Sequence, residues 1–338
     1  MKSQLYTSEP SLICPFRAEA VQYIPVSSCE DGFTLVFLHA MSLHKETFEP
    51  MLEHLLAAST TIKDVWSIDN PNHGRSSVLN QKLLEASSYR EYWSAAEYAR
   101  ATYSFLTSDS HGVDFSARRL VGLAHSSAVS ALMMLLRDKE FSLSKSTLNF
   151  TSLVLLDPAL LPPQFPSTTV LSNMFGKFAS TKRDKWPTRA AAYQYLAAHP
   201  GFKAWDPRAL RLFVACALRD SDSGSEVVLS CSRTQEAGFY LSPTADYKAR
   251  PVEIFIELTR ADELPIHIIT CLKDEYKGQT LPSKEFQISQ VKSTTRGSVQ
   301  LLERGGHMFP QVEPALCADA IQRALTSTRT ETTVKTRL

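Results

Sequence analysis

A serine follows a strongly apolar segment in a setting typical of a hydrolytic nucleophile. The run Leu120–His125 has the composition of a buried strand, Ser126 comes next, and a helical pattern begins at Ser127. Small residues, Ala124 and Ala128, lie two positions before and two positions after the serine, where larger side chains would clash in a sharp strand-to-helix turn. The pattern predicts a nucleophile elbow with Ser126 at its tip.

A histidine near the end of the chain supplies a second part of such a site. His307 follows a short apolar run, Val299–Leu302, and the glycines Gly305 and Gly306, which let the backbone turn sharply. A histidine in a loop after the last strand can accept the proton of a serine hydroxyl as a general base. The order of serine and then histidine therefore predicts that His307 activates Ser126.

Two aspartates compete for the third position of a serine–histidine–acid triad. Asp157 ends the apolar run Leu153–Asp157, and Asp274 follows the next such run, Ile266–Thr270. A carboxylate at either place can hydrogen-bond the second ring nitrogen of His307, fix its tautomer and stabilise the imidazolium. Spacing alone leaves both aspartates open.

Negative charge that develops on a carbonyl oxygen during acyl transfer requires backbone N–H donors. One donor is expected from Ser127, directly after the nucleophile, and a second from Ala40 or Met41, in the loop after the apolar run Phe33–His39. The hydroxyl of Ser42 is a further candidate donor, although its position in the same short loop favours a turn role.

Apolar, β-branched runs that alternate with helical patterns must position these residues. Such continuous runs are typical of strands in a parallel sheet covered by helices on both faces. The expected strands are Phe33–His39, Val65–Asp69, Leu120–His125, Leu153–Asp157 and Ile266–Thr270. The expected helices are Glu46–Ala57, Tyr89–Leu106, Ser127–Leu136 and Pro314–Ala324. The sequence therefore predicts an α/β fold with a mostly parallel central sheet.

Residues 161–250 interrupt this alternation. They carry two amphipathic helical patterns, Thr188–Ala198 and Pro207–Leu218, and no strong buried strand. Because long insertions in compact domains are usually functional, we expect a helical cap over the strand ends, with aromatic side chains that wall an acyl site. Those aromatics are Phe175, Phe178, Trp186, Tyr193 and Tyr195. The expected domains are a core at 1–160 and 251–327, the cap at 161–250 and a flexible polar tail at 328–338.

Composition argues against several other classes of protein. The chain has 338 residues, 36 basic and 35 acidic side chains and a net charge of +1, which argues against a nucleic-acid binder. It has only 12 glycines and neither a G-x-G-x-x-G nor a G-x-x-x-x-G-K-[ST] motif, so we expect no nucleotide cradle. The six cysteines include no C-x-x-C pair, which predicts free thiols and no zinc site. The chemistry needs no metal or organic cofactor, and we expect neither a secretory signal nor a membrane span.

These motifs, in this order, resemble the α/β-hydrolase superfamily. The similarity rests on the elbow at Ser126, on His39, on the turn Asp69–Ser76 and on the loop Gly306–Pro310, and it covers most of residues 20–325. The resemblance implies an α/β-hydrolase fold with an inserted cap. It also implies an esterase or thioesterase that forms an acyl-enzyme on serine.

Two segments, Leu38–Glu46 and Asp69–Gly74, are similar to a fungal branch of that superfamily. The branch includes hydrolases of host-selective toxin pathways and a peroxisomal acyl-CoA hydrolase of mycophenolic acid biosynthesis. The resemblance implies a small acyl substrate such as a CoA thioester, within fungal secondary metabolism. In that acyl-CoA hydrolase the acid follows the strand after the elbow, which favours Asp157, whereas in the superfamily at large the acid follows the next strand, which corresponds to Asp274.

The end of the chain is similar to a peroxisomal address. Thr336, Arg337 and Leu338 follow the small–basic–leucine pattern of S-K-L, and members of the fungal branch carry such a tripeptide. The resemblance implies recognition by a peroxisomal import receptor, with the cytoplasm as the alternative location. Two other functions stay open: hydrolysis of a C–C bond or lactone in a polyketide by the same triad, and ligand capture by a non-catalytic protein of the same fold.

Overall fold

The computed structural model describes residues 1–27, 29–86, 88–137, 148–241, 245–273 and 275–335. Its strands are β1 (Lys2–Thr7), β2 (Glu19–Ile24), β3 (Phe33–Leu38), β4 (Ile62–Ile68), β5 (Leu120–His125), β6 (Phe150–Leu156), β7 (Lys185–Trp186), β8 (Leu218–Asp220), β9 (Val227–Leu229), β10 (Ile266–Cys271) and β11 (Ser298–Leu302). Its α-helices are α1 (Glu49–Ala58), α2 (Gly74–Leu79), α3 (Gln81–Leu84), α4 (Ala95–Leu106), α5 (Ala128–Arg137), α6 (Pro166–Thr181), α7 (Arg189–Ala198), α8 (Pro207–Cys216), α9 (Arg233–Leu241), α10 (Ala245–Ala261), α11 (Leu281–Lys292), α12 (Phe309–Val312) and α13 (Pro314–Lys335).

Within those ranges, eight strands form a central sheet in the order β1-β2-β4-β3-β5-β6-β10-β11. β1, β2 and β4 pair antiparallel, whereas the neighbours from β4 to β11 run parallel. The mostly parallel sheet predicted from the sequence is thus confirmed, and β1 and β2 add an antiparallel edge. Because parallel strands end at the same edge of a sheet, the loops after β3, β5, β6 and β10 meet there.

Helices cover both faces of the sheet. Alternate residues of β3 show the two layers: Val36 and Leu38 belong to the core formed with α4, α5 and α10, whereas Leu35 and Phe37 belong to the core formed with α1 and α13. All four side chains are fully buried. Burial on both faces explains why the strands are continuous apolar runs rather than alternating patterns.

The insertion between β6 and β10 contains the expected helices and, within its described residues, a three-stranded antiparallel sheet of β7, β9 and β8. Strands of two or three residues are too short to show an alternating pattern, so the sequence did not reveal them. The expected boundary at residue 250 falls inside α10. Val252, Phe255 and Leu258 of that helix are buried in the core with α5, so α10 packs with the core rather than with the cap.

The end of the chain also differs from expectation. The apolar pattern fades before residue 328, which predicts a tail without regular structure, but α13 continues to Lys335. A helix that is already nucleated extends by one backbone hydrogen bond per residue and needs no apolar partner for its last turns. The six cysteines are free. Among the described residues, no helix combines the length and the apolarity that a membrane span requires.

Candidate active site

The turn between β5 and α5 has the shape of a nucleophile elbow. Ser126 adopts a left-handed backbone conformation with φ 56°, which is uncommon for a residue other than glycine and is typical of functional sites. Its N–H donates to the Leu156 carbonyl at 2.9 Å, and its own carbonyl accepts from the Ala159 N–H at 3.1 Å. Ala124 and Ala128 are buried on either side. The small side chains expected from the sequence therefore lie at the turn, and Ser126 stands at the carboxyl edge of the sheet.

Three side chains form one hydrogen-bonded chain at this edge. His307 Nε2 lies 2.9 Å from Ser126 Oγ, and His307 Nδ1 lies 2.5 Å from Asp157 Oδ2. When Nδ1 donates to the carboxylate, Nε2 carries a lone pair that can take the hydroxyl proton. The structure thus brings together Ser126, His307 and Asp157. Asp274, the alternative acid, lies outside the described residues.

Asp157 is held by residues that the sequence did not single out. Thr270 Oγ1 donates to its Oδ1. Lys284 Nζ lies 2.9 Å from Oδ1 and 3.1 Å from Oδ2, and it also donates to the Cys271 carbonyl at 2.5 Å. Burial alone would raise the pKa of Asp157, but the hydrogen bond and charge of His307 and the charge of Lys284 outweigh it and hold that pKa below its usual range. The acid therefore stays ionised beside the histidine.

The histidine loop turns back over the sheet through two glycines. Gly305 and Gly306 have φ angles of 98° and 60°, and a Cβ on Gly306 would overlap the Glu275 carboxylate. Glu275 Oε2 accepts the His307 N–H at 2.7 Å. Gly306, expected from the sequence to allow a sharp turn, thus also makes room for a carboxylate that anchors the loop.

His125, the residue before the serine, contacts the same loop through a hydrogen bond and a ring contact. Its Nε2 donates to the His307 carbonyl at 3.0 Å, and the two rings lie 5.2 Å apart between centroids. Burial lowers the pKa of His125 to about 3, so this ring is neutral near pH 7. In the sequence His125 is only one position of the elbow pattern, and no neighbouring residues predict its contact with the His307 loop.

The loop after β3 lies beside the elbow. The Met41 N–H donates to Ser127 Oγ at 2.9 Å, so two residues expected to hold the oxyanion are adjacent. The Ala40 carbonyl accepts from the Leu43 N–H at 3.1 Å and closes a four-residue turn. His39 at the start of this loop is buried and donates through Nδ1 to the same carbonyl at 2.9 Å.

The turn at Ala40–Leu43 is also hydrogen-bonded to the insertion between β6 and β10. Ser42 Oγ donates to Glu236 Oε1 at 2.5 Å, and the other oxygen of Glu236 pairs with Lys182 Nζ. The hydroxyl of Ser42 is therefore engaged with a carboxylate from α9 and is not directed at a substrate oxygen. Neither Glu236 nor Lys182 carries a local sequence signal, because single charged residues are common on helices.

Little open space lies at Ser126 or beside the Ser42 turn. Ser126 is only 8% exposed, and the cavity lined by Ser42, His73, Lys182 and Glu236 among others has a volume of about 10 Å³, space for no more than about one water molecule. A larger cavity of about 320 Å³ lies between α1 and α8, away from the serine.

The cap aromatics only partly match the expected acyl wall. The Phe175 ring lies 5.2 Å from the Tyr276 ring, which follows β10. Trp186 is buried in the packing of the cap helices, and Tyr193 packs against the same cluster. Phe178 and Tyr195 are exposed. Most of these rings therefore stabilise the cap itself or face solvent.

One group of side chains has the residue types of a metal site. Ligand atoms of His44, Glu46 and Cys216 lie within 4.8 Å of one another. However, the Lys45 ammonium lies 2.8 Å from the Glu46 carboxylate, and burial raises the pKa of the Cys216 thiol to about 12. A cation already compensates the carboxylate and the thiol resists ionisation, so the donor set does not favour a metal ion.

A mostly parallel sheet with a serine elbow after its fifth strand and a histidine loop after its last defines the α/β-hydrolase class. Residues 35–320 match the sequence profile of the alpha/beta hydrolase family, and the chain belongs to that family.

Three proteins illustrate what the chain is similar to, at identities of 24%, 28% and 17%. The abhydrolase domain-containing protein AKT2 of Alternaria alternata is 24% identical over 196 residues, which cover 51% of this chain and 72% of AKT2. The type I acyl-CoA thioesterase mpaH' of Penicillium brevicompactum is 28% identical over 187 residues, which cover 54% of this chain and 39% of that protein. The peroxisomal alpha-beta-hydrolase Lpx1 of Saccharomyces cerevisiae is a solved structure with a TM-score of 0.72 and 17% identity, covering 98% of this chain and 90% of Lpx1. At that identity the likeness to Lpx1 concerns the fold.

Proposed function

We propose that this protein is a serine hydrolase that cleaves an ester or thioester bond through an acyl-enzyme. The observation that carries the proposal is the continuous hydrogen-bonded chain from Ser126 Oγ through His307 to Asp157. Such a chain activates a hydroxyl that is otherwise a weak nucleophile at neutral pH. Its elbow lies at the carboxyl edge of the sheet, which is where ligands bind in open α/β sheets.

The reaction has two halves. Ser126 Oγ attacks the acyl carbonyl while His307 Nε2 takes its proton, and the same proton then passes to the departing thiol or alcohol. A water molecule next gives a proton to His307 Nε2 and attacks the carbonyl of the acyl-enzyme. As the bond to Ser126 Oγ breaks and the acid leaves, His307 returns that proton to Ser126 Oγ. Asp157 stays ionised throughout and stabilises the imidazolium.

The oxyanion is held by the backbone N–H groups of Ser127 and of Met41, with Ala40 as the alternative to Met41. In the structure the Met41 N–H donates to Ser127 Oγ. A substrate oxygen would replace that hydroxyl as acceptor when the acyl group enters. Donors of this kind contribute about 10²–10³-fold to the rate in other hydrolases.

We propose an acyl-CoA or similar thioester of fungal secondary metabolism as the substrate. The name of the Penicillium relative, an acyl-CoA thioesterase, supports this class. Toxin biosynthesis is the context that the resemblance to the fungal branch suggests.

Hydrolysis of a set of acyl-CoA thioesters of increasing chain length, with matched aryl esters, tests the function. We expect thiol release by the wild type and a loss of about 10³–10⁶-fold in Ser126→Ala and His307→Ala. Ser130→Ala, in the helix α5 that follows Ser126 and outside the triad, serves as the matched control and should retain activity. Turnover of neither thioesters nor esters, with a folded wild type, would overturn the proposal.

We also propose peroxisomal import through Thr336–Leu338. This tripeptide lies outside the described residues, so the proposal rests on the sequence and on the resemblance. A fluorescent protein fused to the N-terminus, with and without these three residues, tests it in fungal cells. Punctate signal that becomes diffuse on deletion is expected, and an unchanged distribution would contradict the proposal.

A further inference from the structure

The hydroxyl of Ser127 is bonded to the loop after β3 rather than to its own helix. Ser127 directly precedes α5, a place where a serine oxygen normally accepts the second or third N–H of the helix. Here the Val129 N–H bonds to the Ser126 carbonyl at 3.2 Å instead, and the Ser130 N–H bonds to the Ser127 carbonyl at 3.1 Å. The Ser127 hydroxyl accepts the Met41 N–H at 2.9 Å. Helix capping therefore does not explain the position of this hydroxyl.

The same hydroxyl lies where the oxygen of a substrate is expected. The two N–H groups proposed for the oxyanion hole belong to Met41 and to Ser127 itself. The hydroxyl oxygen is bonded to the first of these N–H groups, and only the N–Cα, Cα–Cβ and Cβ–Oγ bonds separate it from the nitrogen of the second. It therefore lies beside the place at which both N–H groups reach one substrate oxygen.

The Ser127 hydroxyl has a proton to offer as well as lone pairs. A serine hydroxyl carries one donor and two acceptor lone pairs, and the bond from the Met41 N–H uses only an acceptor. Within the ranges of the chain that the structure describes, this hydroxyl donates to no other protein group. The side chain is also half-buried rather than enclosed. Ser127 can thus donate to an incoming oxygen without losing a hydrogen bond that it donates in the free protein.

We infer that the Ser127 hydroxyl is a third donor of the oxyanion hole and therefore a catalytic residue. The inference rests on the proposed function, since it concerns the oxyanion of that reaction. When the substrate oxygen replaces the hydroxyl as acceptor of the Met41 N–H, a rotation about the Cα–Cβ bond of Ser127 turns the hydroxyl toward that oxygen. The hydroxyl donates a hydrogen bond and keeps its proton, and proton transfer stays between Ser126, His307 and the leaving group.

Such a donor acts mainly in the transition state. A hydrogen bond to a charged oxygen is stronger than one to a neutral carbonyl oxygen, and the charge on this oxygen is greatest in the tetrahedral state. Only interactions that are stronger in the transition state than in the bound substrate raise kcat. Loss of the hydroxyl should therefore lower kcat and leave KM nearly unchanged. A hydroxyl that only competed for the Met41 N–H would have the opposite effect, since its removal would raise the rate.

Two substitutions at Ser127 test the inference, because Ser127→Ala removes the hydroxyl and Ser127→Thr keeps it. We expect Ser127→Ala to lower kcat for thioester or aryl ester hydrolysis about 10- to 100-fold, since two N–H donors remain. KM should stay within about threefold of the wild-type value. Ser127→Thr should retain kcat to within about fivefold. Ser130→Ala, in α5, is the matched control.

A trifluoromethyl ketone supplies a readout that a purely structural role would not move. Ser126 Oγ adds to its carbonyl carbon and gives its proton to His307, and the former carbonyl oxygen becomes an anion in the oxyanion hole. The inhibition constant of this ketone should rise in Ser127→Ala by about the factor by which kcat falls. Because the hydroxyl caps no helix N–H, the melting temperature should stay at the wild-type value.

The outcomes separate this inference from the proposed function. An active wild type with Ser127→Ala equally fast or faster would overturn the donor role and leave the serine hydrolase standing. The same conclusion follows if Ser127→Ala loses kcat but keeps the wild-type affinity for the ketone, or if Ser127→Thr is as impaired as Ser127→Ala. A folded wild type that neither hydrolyses thioesters or esters nor binds the ketone would overturn the proposed function and the donor role with it.

Discussion

Asp157 Oδ2 lies 2.5 Å from His307 Nδ1, although 150 positions separate the two residues in the chain. The carboxylate bonded to the histidine thus follows β6, the strand after the elbow strand. Because the carboxylate fixes the tautomer that lets Nε2 accept a proton, Asp157→Asn should lower kcat by about 10³–10⁴-fold with little change in fold. Asp274→Asn is the matched variant and should keep nearly wild-type kcat. If Asp274→Asn is crippled and Asp157→Asn is active, the acid has been assigned to the wrong strand.

Lys284 should tune the pH dependence of the reaction. Its ammonium shares the Asp157 carboxylate with His307, so its charge partly compensates the acid. In Lys284→Met the carboxylate stabilises the protonated imidazole more strongly, and the acidic limb of the kcat/KM profile should move to higher pH by up to about one unit. Lys292→Met, at the end of the same helix, is the control. A lower melting temperature with an unmoved profile would limit Lys284 to a structural role.

Gly306→Ala should damage the histidine loop. The substitution adds a Cβ where φ is 60° and where the Glu275 carboxylate already lies, so the anchor of the His307 N–H must shift. We expect kcat to fall about tenfold or more with a smaller effect on KM. Gly112→Ala, where φ is 67° but nothing lies within 4 Å of the added atom, separates backbone strain from the clash. Equal effects of the two substitutions on kcat would rule out the proposed anchor.

Buried neutral histidines should make the fold sensitive to mild acid. Burial lowers the pKa of both His39 and His125 to about 3, whereas an unfolded histidine titrates near 6.5. Below pH 6.5 protons therefore bind the unfolded chain first, and stability is lost as pH falls from about 6.5 toward 3. The loss is about 1.4 kcal/mol per histidine per pH unit. Urea unfolding between pH 7.5 and 4.5 should show this slope, reduced in His125→Gln, and a flat stability curve would contradict it.

The sequence predicted the parts of the site that depend on local pattern. The elbow was recognisable because an apolar strand, a serine between small residues and a helix are adjacent in the chain. The histidine loop was recognisable through Gly305 and Gly306. By contrast, β1 is mostly exposed. Its pairing with β2 is a contact between separate segments, which no hydrophobic periodicity within β1 predicts. The polar groups around the triad could not be predicted for the same reason. Lys284 contacts Asp157, and Glu236 contacts Ser42, only because the folded chain brings distant segments together.

The most direct test of the whole account is intact-mass analysis of the wild-type protein after reaction with a fluorophosphonate, followed by peptide mapping. Ser126 should carry a single phosphonyl adduct, because it is the hydroxyl bonded to His307 Nε2. Ser126→Ala should carry none, and His307→Ala should react far more slowly. An adduct on Ser127 or on another residue, or a folded wild type without any adduct, would contradict the central claim that Ser126 is the nucleophile.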